Sequence, residues 1–388
     1  MQYRGSIFGG LLKLIDRRQF GAIVDRHDGD AYDKSFDSWT HLVSLLCGQL
    51  SGASSLRELE AAWQANAHHH YHLGVGPLRR STLSDANRRR PPALFAELFD
   101  LLVRQFHGRF RREGDALVRL IDATPIPLGP LAGWAQWNGR TRGLKLHVVY
   151  DPGQDTPERL SITPATVNDV TFRSEVPIEP ATTYVFDKAY CHYGWWTEID
   201  QAGACFVTRR KTNAHFRTLR RRPIDDADGD GFTLLGDAEV TLAKPRRAKL
   251  DIPIRRIRLK RHADGKTMDL LTNDQQRSAA EIASLYKARW QIELLFRWIK
   301  QHLNIRRFLG TSENAIRLQI LAAMIAFLLL RLAARLHRSA LKPIRFAQLI
   351  GRCLFLRKTI DRIDKPPIVN PSTPRDKIDP NQLRFSYA

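Results

Sequence analysis

Three carboxylates and one striped helix are the residues of this chain best placed to do chemistry. Asp122 closes the apolar run ALVRLID, Asp187 closes TTYVFD, and Glu293 lies inside YKARWQIELLFRWIK, residues 286–300. On a helix each residue advances by about 100°. Tyr286, Arg289, Glu293 and Lys300 therefore share a stripe roughly 60° wide. The apolar residues Leu285, Ala288, Ile292, Leu295, Phe296, Ile299 and Leu303 fill the sector beside it. Carboxylates at two strand ends can converge with a Glu carried by a helix. Three acidic oxygen donors suit a hard divalent cation such as Mg²⁺, and two such ions can drive phosphodiester cleavage or strand transfer. Arg289 would then hold a phosphate as a two-pronged fork and Lys300 as a point charge. Plainer readings exist for the same residues. Arg289, Glu293 and Arg297 have the spacing of a solvated salt-bridge ladder, and Asp is common where a strand enters a turn.

Composition favours the chemical reading. The 388 residues carry a formal charge of +21, which points to a polyanionic partner, most often nucleic acid. The basic residues are spread along the chain rather than gathered on one amphipathic helix, which disfavours a membrane surface. Cys47, Cys191, Cys205 and Cys353 are far apart, with no CxxC pair. That excludes the usual zinc-finger and disulfide patterns and suits a reducing, cytoplasmic setting near the nucleoid. The first residues show no signal-peptide pattern. The longest apolar run, residues 318–330, is broken by Gln319 and is shorter than the roughly 20 residues needed to span a bilayer.

The elements that must position these groups follow from periodicity. Residues 1–112 read as a helical domain, with helices over 35–50, 55–66, 81–90 and 93–108. Ser55 with Glu58 has a capping-box pattern. The helix at 81–90 ends in Arg88, Arg89 and Arg90, so this pair of short helices could face DNA. The cluster His68-His69-His70-Tyr71-His72 reads as a polar loop, because no Cys or carboxylate stands close in sequence to complete a metal site.

From residue 116 the pattern shortens to strands at 116–122, 143–151, 159–164, 182–187 and 205–209, with helical pieces near 169–175 and 193–202. This predicts a mixed α/β sheet. Residues 210–275 interrupt it with alternating apolar residues and a basic surface: 16 Lys+Arg against 7 Asp+Glu between Arg209 and Arg261. Asp226, Asp228, Asp230, Gly231 and Asp237 match part of a calcium-loop pattern, but the flanking helices and the final Glu are missing. Ser278 with Glu281 caps a helix predicted to run to His302. A long apolar helix at 311–336 could pack on the sheet, a basic amphipathic helix spans 341–363, and a Pro-rich tail follows from Pro366.

Tyr286-x2-Arg289-x3-Glu293-x6-Lys300 resembles the Tyr-Arg-Glu-Lys signature of bacterial insertion-sequence transposases of the DDE class, the family numbered four. The order Asp122, Asp187, β-rich insertion, Glu293 is similar to that family too, as are SLLCGQLSGASSLREL and STLSDANRRRP in the N-terminal region. The resemblance covers residues 10–355 or so. It implies an α/β fold with a ribonuclease H-like mixed-sheet core (113–209 and 276–340), an insertion at 210–275, an N-terminal helical DNA-binding domain and a C-terminal helix and tail. It implies a DNA transposase that cuts transposon ends and joins them to target DNA with Mg²⁺ or Mn²⁺, two ions held by Asp122, Asp187 and Glu293. Tyr286, Arg289 and Lys300 would bind the DNA end, with Arg297, Lys188, Arg88 and Arg89 as further DNA contacts. The partners implied are double-stranded DNA, both terminal inverted repeats and target, and a second copy of the chain in a homodimer.

Two features depart from the family pattern. Asp187 is followed by Lys188-Ala189-Tyr190 where relatives often have Arg-Gly-Tyr, which keeps the charge and the Tyr. Some relatives stack a flipped base on an insertion Trp; this insertion holds only Phe216 and Phe232, which leaves the route of strand cleavage open. Two other readings stay open at this point. One is a DNA-binding regulator that has lost catalysis, and the other is a non-transposing nuclease on the same core.

Overall fold

The computed structural model describes residues 5–365 apart from 32, 34, 112–116, 131, 140, 225–227, 230, 244–249 and 304–307. Seven helices come first: α1 (Ile7–Leu12), α2 (Arg17–Arg26), α3 (Ser38–Ser51), α4 (Leu56–Ala65), α5 (His70–Leu73), α6 (Arg80–Arg89) and α7 (Pro92–Phe110). Side-chain caps start four of them: Ser6 on α1, Asp16 on α2, Asp37 on α3 and Ser55 on α4. Each satisfies amide donors that a helix start leaves unpaired. Glu58 reaches back to the amide and hydroxyl of Ser54 rather than to Ser55, so only half of the expected box forms.

The sheet follows. Its strands are β1 (Val118–Pro127), β2 (Gly143–Asp151), β3 (Thr156–Pro164), β4 (Thr183–Phe186), β5 (Cys205–Arg209), β6 (Phe216–Arg222), β7 (Asp228–Gly229), β8 (Phe232–Leu242), β9 (Ile254–Arg261) and β10 (Thr267–Thr272). They run in the order β3-β2-β1-β4-β5-β10-β9-β8-β6, with β7 on β8. β1, β4 and β5 are mutually parallel, and β2 and β3 are antiparallel additions at one side. This is the ribonuclease H-like mixed sheet. The 210–275 segment is β-rich as its alternation predicts, and its strands continue the same sheet because β10 pairs with β5.

Alternation divides the sheet into two covered faces. Leu120, Val185 and Val207 point into a core shared with the later helices, whereas Ile121, Tyr184, Phe186 and Phe206 point into a second core. Trp195 and Trp196 of α8 (Tyr193–Gln201) close that second core.

The later helices are α9 (Ala279–Ala288), α10 (Trp290–His302), α11 (Glu313–Leu336) and α12 (Pro343–Arg352). Ser278 and Glu281 form the full reciprocal capping box at the start of α9. α11 is long and apolar enough to cross a membrane, yet 89% of its apolar window is buried inside the protein. It packs chiefly on α7, α3 and α6 and touches the sheet at β3. The sequence pattern allowed packing on the sheet, and most of the helix packs on other helices instead. The difference arises because α7 presents Leu94, Phe95, Leu98, Phe99, Leu102 and Phe106 to the same core. Gln319, which interrupts the apolar run, is satisfied inside this core: its carboxamide accepts from the Leu309 amide and donates to the Ala315 carbonyl.

Three expected spans change. β1 continues five residues beyond Asp122, because its antiparallel partner β2 runs on to Pro127↔Gly143. The helix predicted over 278–302 breaks at Arg289, where Arg289 N donates to Tyr286 O and Ile292 N to Arg289 O. The C-terminal basic helix stops at Arg352, with a short turn of helix at Ile360–Arg362 in place of its second half. The tail from Pro366 lies outside the described residues, as do Asp226 and Asp230 of the calcium-like pattern. Asp237, its twelfth position, is buried and paired with Arg255 at 2.5 Å.

His147 on β2 illustrates how this core treats ionisable groups. It stacks on Phe172, its Nε2 lies 2.9 Å from Thr163 Oγ1, and burial pulls its pKa down to about 4. Below pH 6.5, its ordinary value, the unfolded chain takes up a proton that the folded chain refuses, so this histidine costs stability as pH falls towards 4. The stability difference between wild type and His147→Gln should therefore shift in favour of the variant by up to ~1.4 kcal/mol per pH unit in that window. Urea midpoints of both proteins at pH 7 and pH 5 measure it, and a difference that is constant with pH would refute it.

Candidate metal and DNA site

The register of β1 against β4 is the origin of the site. Their parallel pairing ends at Ile121↔Phe186, so the next residues, Asp122 and Asp187, stand side by side on adjacent strands. Ile121 and Phe186 face the second core. Asp122 and Asp187 therefore face the opposite side, the side of Leu120 and Val185 and of α9 and α10.

The helical stripe arrives from that side. The Tyr286 hydroxyl donates to Asp187 Oδ1 at 3.4 Å. Arg289 Nη1 lies 3.0 Å from Asp122 Oδ2, and its Nη2 lies 2.7 Å from Glu293 Oε1. Lys300 Nζ donates to Thr124 Oγ1 at 2.5 Å. The stripe thus lies along the face of the sheet that carries both aspartates, with Tyr286 at Asp187, Arg289 at Asp122 and Lys300 at Thr124. Thr124 was missed by the sequence reading; it sits two residues beyond Asp122, on the same face of a period-2 strand, and that was the available signal.

Electrostatics at the site are tight. Burial pushes the Asp122 carboxyl up to about 6, against the pull of Arg289, while its Oδ1 accepts from the Ala123 amide. Burial holds the Tyr286 phenol up at about 12, neutral and able to donate. Beneath the aspartates, Tyr190 is raised well above its ordinary value by burial and by Asp169, Asp122 and Asp187.

The remaining cations spread out. Lys188 follows Asp187 directly and is half-buried in a short helical turn. Arg297 is exposed and stacks over Trp290 at 5.8 Å, so the salt-bridge ladder has only its Arg289–Glu293 rung. Arg88 and Arg89 are exposed at the end of α6, which packs on α11 and α4. Arg90 beside them is a buried pin that donates to Gly29 O and to Asp33. In the insertion Phe232 is buried and Phe216 half-buried.

Comparison with known proteins now identifies the lineage. Residues 113–329 match the family described as "Transposase DDE domain", and residues 4–76 match a domain of unknown function. The DDE match spans all three carboxylates. The chain belongs to the DDE transposase family. A Sinorhizobium fredii protein, y4zB, named as a transposase, is 58% identical over 79% of this chain and 85% of its own length. A Geobacillus stearothermophilus transposase of insertion sequence element IS5377 is 29% identical over 66% of this chain and 69% of its own length. Among solved structures, the piggyBac transposase synaptic complex with hairpin DNA aligns over 98% of this chain and 89% of its own, with a TM-score of 0.51 at 10% identity, a likeness of fold. The protein is a DNA transposase, and its family uses divalent metal.

Two clusters can be tested for fit to that metal. His107, Asp151 and Glu158 bring three ligand-type atoms within 4.8 Å of one another. Arg111 and Arg119 pair with both carboxylates there, so that cluster is an internally neutralised ion-pair network. Asp122, Asp187 and Glu293 do not close to that spacing, but their donor chemistry suits the metal. They are hard oxygen donors, partly open to solvent, and the guanidinium of Arg289 already stands between two of them as a cation.

Asp122 keeps its place only while the β1–β2 hairpin keeps its register. Gly143 opens β2 at φ +156°, and a Cβ there would come within 2.1 Å of the Ile126 carbonyl oxygen. Gly143→Ala should lower stability by about 1–3 kcal/mol, the usual penalty for overpacking, and reduce DNA cleavage with it. A urea melt reads the first effect, and an unchanged midpoint would show that the hairpin opens without cost.

Proposed function

We propose that Asp122, Asp187 and Glu293 hold two divalent ions, Mg²⁺ or Mn²⁺, with which this transposase, of the family numbered four, cuts transposon ends and joins them to target DNA. The observation that carries this reading is that Asp122 and Asp187 follow the last β1–β4 pair on one face of the sheet and that Arg289 bridges Asp122 to Glu293. When bound, the ions lower the pKa of the attacking oxygen and stabilise the leaving one. The chain's own residues do the rest. Tyr286 orients Asp187 through its hydroxyl. Arg289 and Lys300 supply the fork and the point charge for the phosphate at the DNA end. Arg297 and Lys188 extend the cationic rim along the same DNA.

In this reading residues 1–112 form the DNA-binding helical domain, with Arg88 and Arg89 on its exposed face. Residues 113–209 and 276–340 form the catalytic core, 210–275 the basic insertion, and 341–388 the C-terminal helix and tail. β6 supports a DNA-facing role for the insertion: it is the sheet's edge strand and exposes Arg217, Arg220 and Arg221. Cationic edges also resist strand-to-strand aggregation. The substrates are the terminal inverted repeats and a target duplex, and two copies of the chain bridge the two ends. The work is done in the bacterial cytoplasm, at the nucleoid.

Glu293→Ala should lower metal-dependent cleavage of a duplex bearing the transposon end by roughly a thousandfold or more, the scale expected when a fixed charge of the transition-state cradle is lost. Binding of the same duplex, measured by gel shift, should persist. Cleavage at the wild-type rate would sink the assignment.

A further inference from the structure

Arg289 stands where its two proposed partners compete. Its Nη1 is 3.0 Å from Asp122 and its Nη2 is 2.7 Å from Glu293. One guanidinium thus occupies oxygen atoms of two of the three carboxylates. The side chain is largely buried, and its Nε is buried with no hydrogen-bond partner. The two carboxylates hold Arg289 by its terminal nitrogens, the Tyr286 ring centre lies 5.6 Å from its Cζ, and the Nε donor is left unspent.

A divalent cation and a guanidinium are alternative ligands for the same carboxylate oxygens. Resting on the metal reading above, we infer that Arg289 is a gate: without DNA it neutralises Asp122 and Glu293 and keeps metal out, and a DNA phosphate draws it away and opens the site. A phosphate can take two parallel N–H donors from the fork, as a carboxylate does. The exchange moves one cation from two carboxylates to one phosphate, and the carboxylates left behind attract the metal. Metal and DNA then favour one another, and linkage makes the coupling reciprocal: DNA tightens metal binding by the same factor by which metal tightens DNA binding. The gate would keep the free transposase from cutting before an end is seated.

The test reads metal, not turnover. Mn²⁺ is titrated into the full-length protein and free Mn²⁺ is followed by electron paramagnetic resonance. Sites are assigned as those lost in Glu293→Gln, and the signal of DNA alone is subtracted. Without DNA, Arg289→Gln should bind Mn²⁺ at this site on the order of tenfold more tightly than wild type, a change of ~1.4 kcal/mol. Lys300→Gln removes a positive charge from the same site without freeing a carboxylate, so it should change the affinity far less. In the wild type, a 5′-phosphorylated duplex should tighten Mn²⁺ binding by a similar factor, and this coupling should disappear in Arg289→Gln. Circular dichroism confirms that each variant is folded, and the wild-type comparison with and without duplex stands on its own if one is not. Equal Mn²⁺ affinity of wild type and Arg289→Gln, or an equal gain in Lys300→Gln, overturns the gate and leaves the metal site intact. No Mn²⁺ bound at a Glu293-dependent site in any protein, with or without DNA, overturns the metal reading itself.

Discussion

The parallel pairing of β1 with β4 is the constraint on which the site depends. It ends at Ile121↔Phe186, and the two residues after that pair are both aspartates. Neighbouring carboxylates repel, and burial raises the cost of charging them. The sheet accepts this because the backbone pairing and the packing of Ile121 and Phe186 beneath it leave the strands no other register. A slip of β1 by one residue would turn Ile121 out of its core and Asp122 into it. The charge is then met from above, by Arg289 and by the Tyr286 hydroxyl. Fold and site are thus coupled through one register: the apolar residues specify it, and the acidic ones use it.

The strands between β5 and α9 make Glu293 dependent on the far side of the sheet. After β5 the chain runs through β6 to β9 before returning on β10 beside β5, and only then enters α9. The return is fastened by Arg255 on β9. This residue is buried, pairs with Asp237 on β8, and donates to the carbonyls of Asp274 and Arg277 just before the capping serine. A buried ion pair is costly to break one-sidedly. Here it fixes where α9 begins, and so where the stripe meets the aspartates. The insertion therefore helps to set the position of α9 and of the stripe that follows it.

Much of this was legible in the sequence, for identifiable reasons. β2 and β5 fall where the apolar runs put them, because each is buried along its length and bounded by turn residues. The stripe from Tyr286 to Lys300 was legible because its spacing is local. What was not legible is non-local. The prolongation of β1 beyond Asp122 comes from β2, and the length of a strand is set by its partner as much as by its own residues. The placement of α11 against α7 and α3 comes from competition between two apolar surfaces, which periodicity cannot rank. Arg88, Arg89 and Arg90 look alike in sequence, yet Arg90 is a buried pin and its neighbours are exposed, because only Arg90 can reach Gly29 and Asp33 from the end of α6.

The break at Arg289 explains why one stripe can serve two strands. A straight α-helix rises about 1.5 Å per residue, so Tyr286 and Lys300 are roughly 21 Å apart along it. The residues they contact lie on different strands: Asp187 after β4, then Asp122 and Thr124 along β1. A helix lying over two adjacent strands must cross from one to the other. The tighter hydrogen bonds at Arg289, each reaching back three residues, overwind the chain by part of a turn at the crossing point. Tyr286 is left over the end of β4, while Glu293 and Lys300 follow β1. Arg289 occupies the turn itself, the one position from which a fork can touch the carboxylate of a strand and that of its own helix together. The residue that bends the helix is therefore also the residue that neutralises the site, and a change in what it binds is placed to move both.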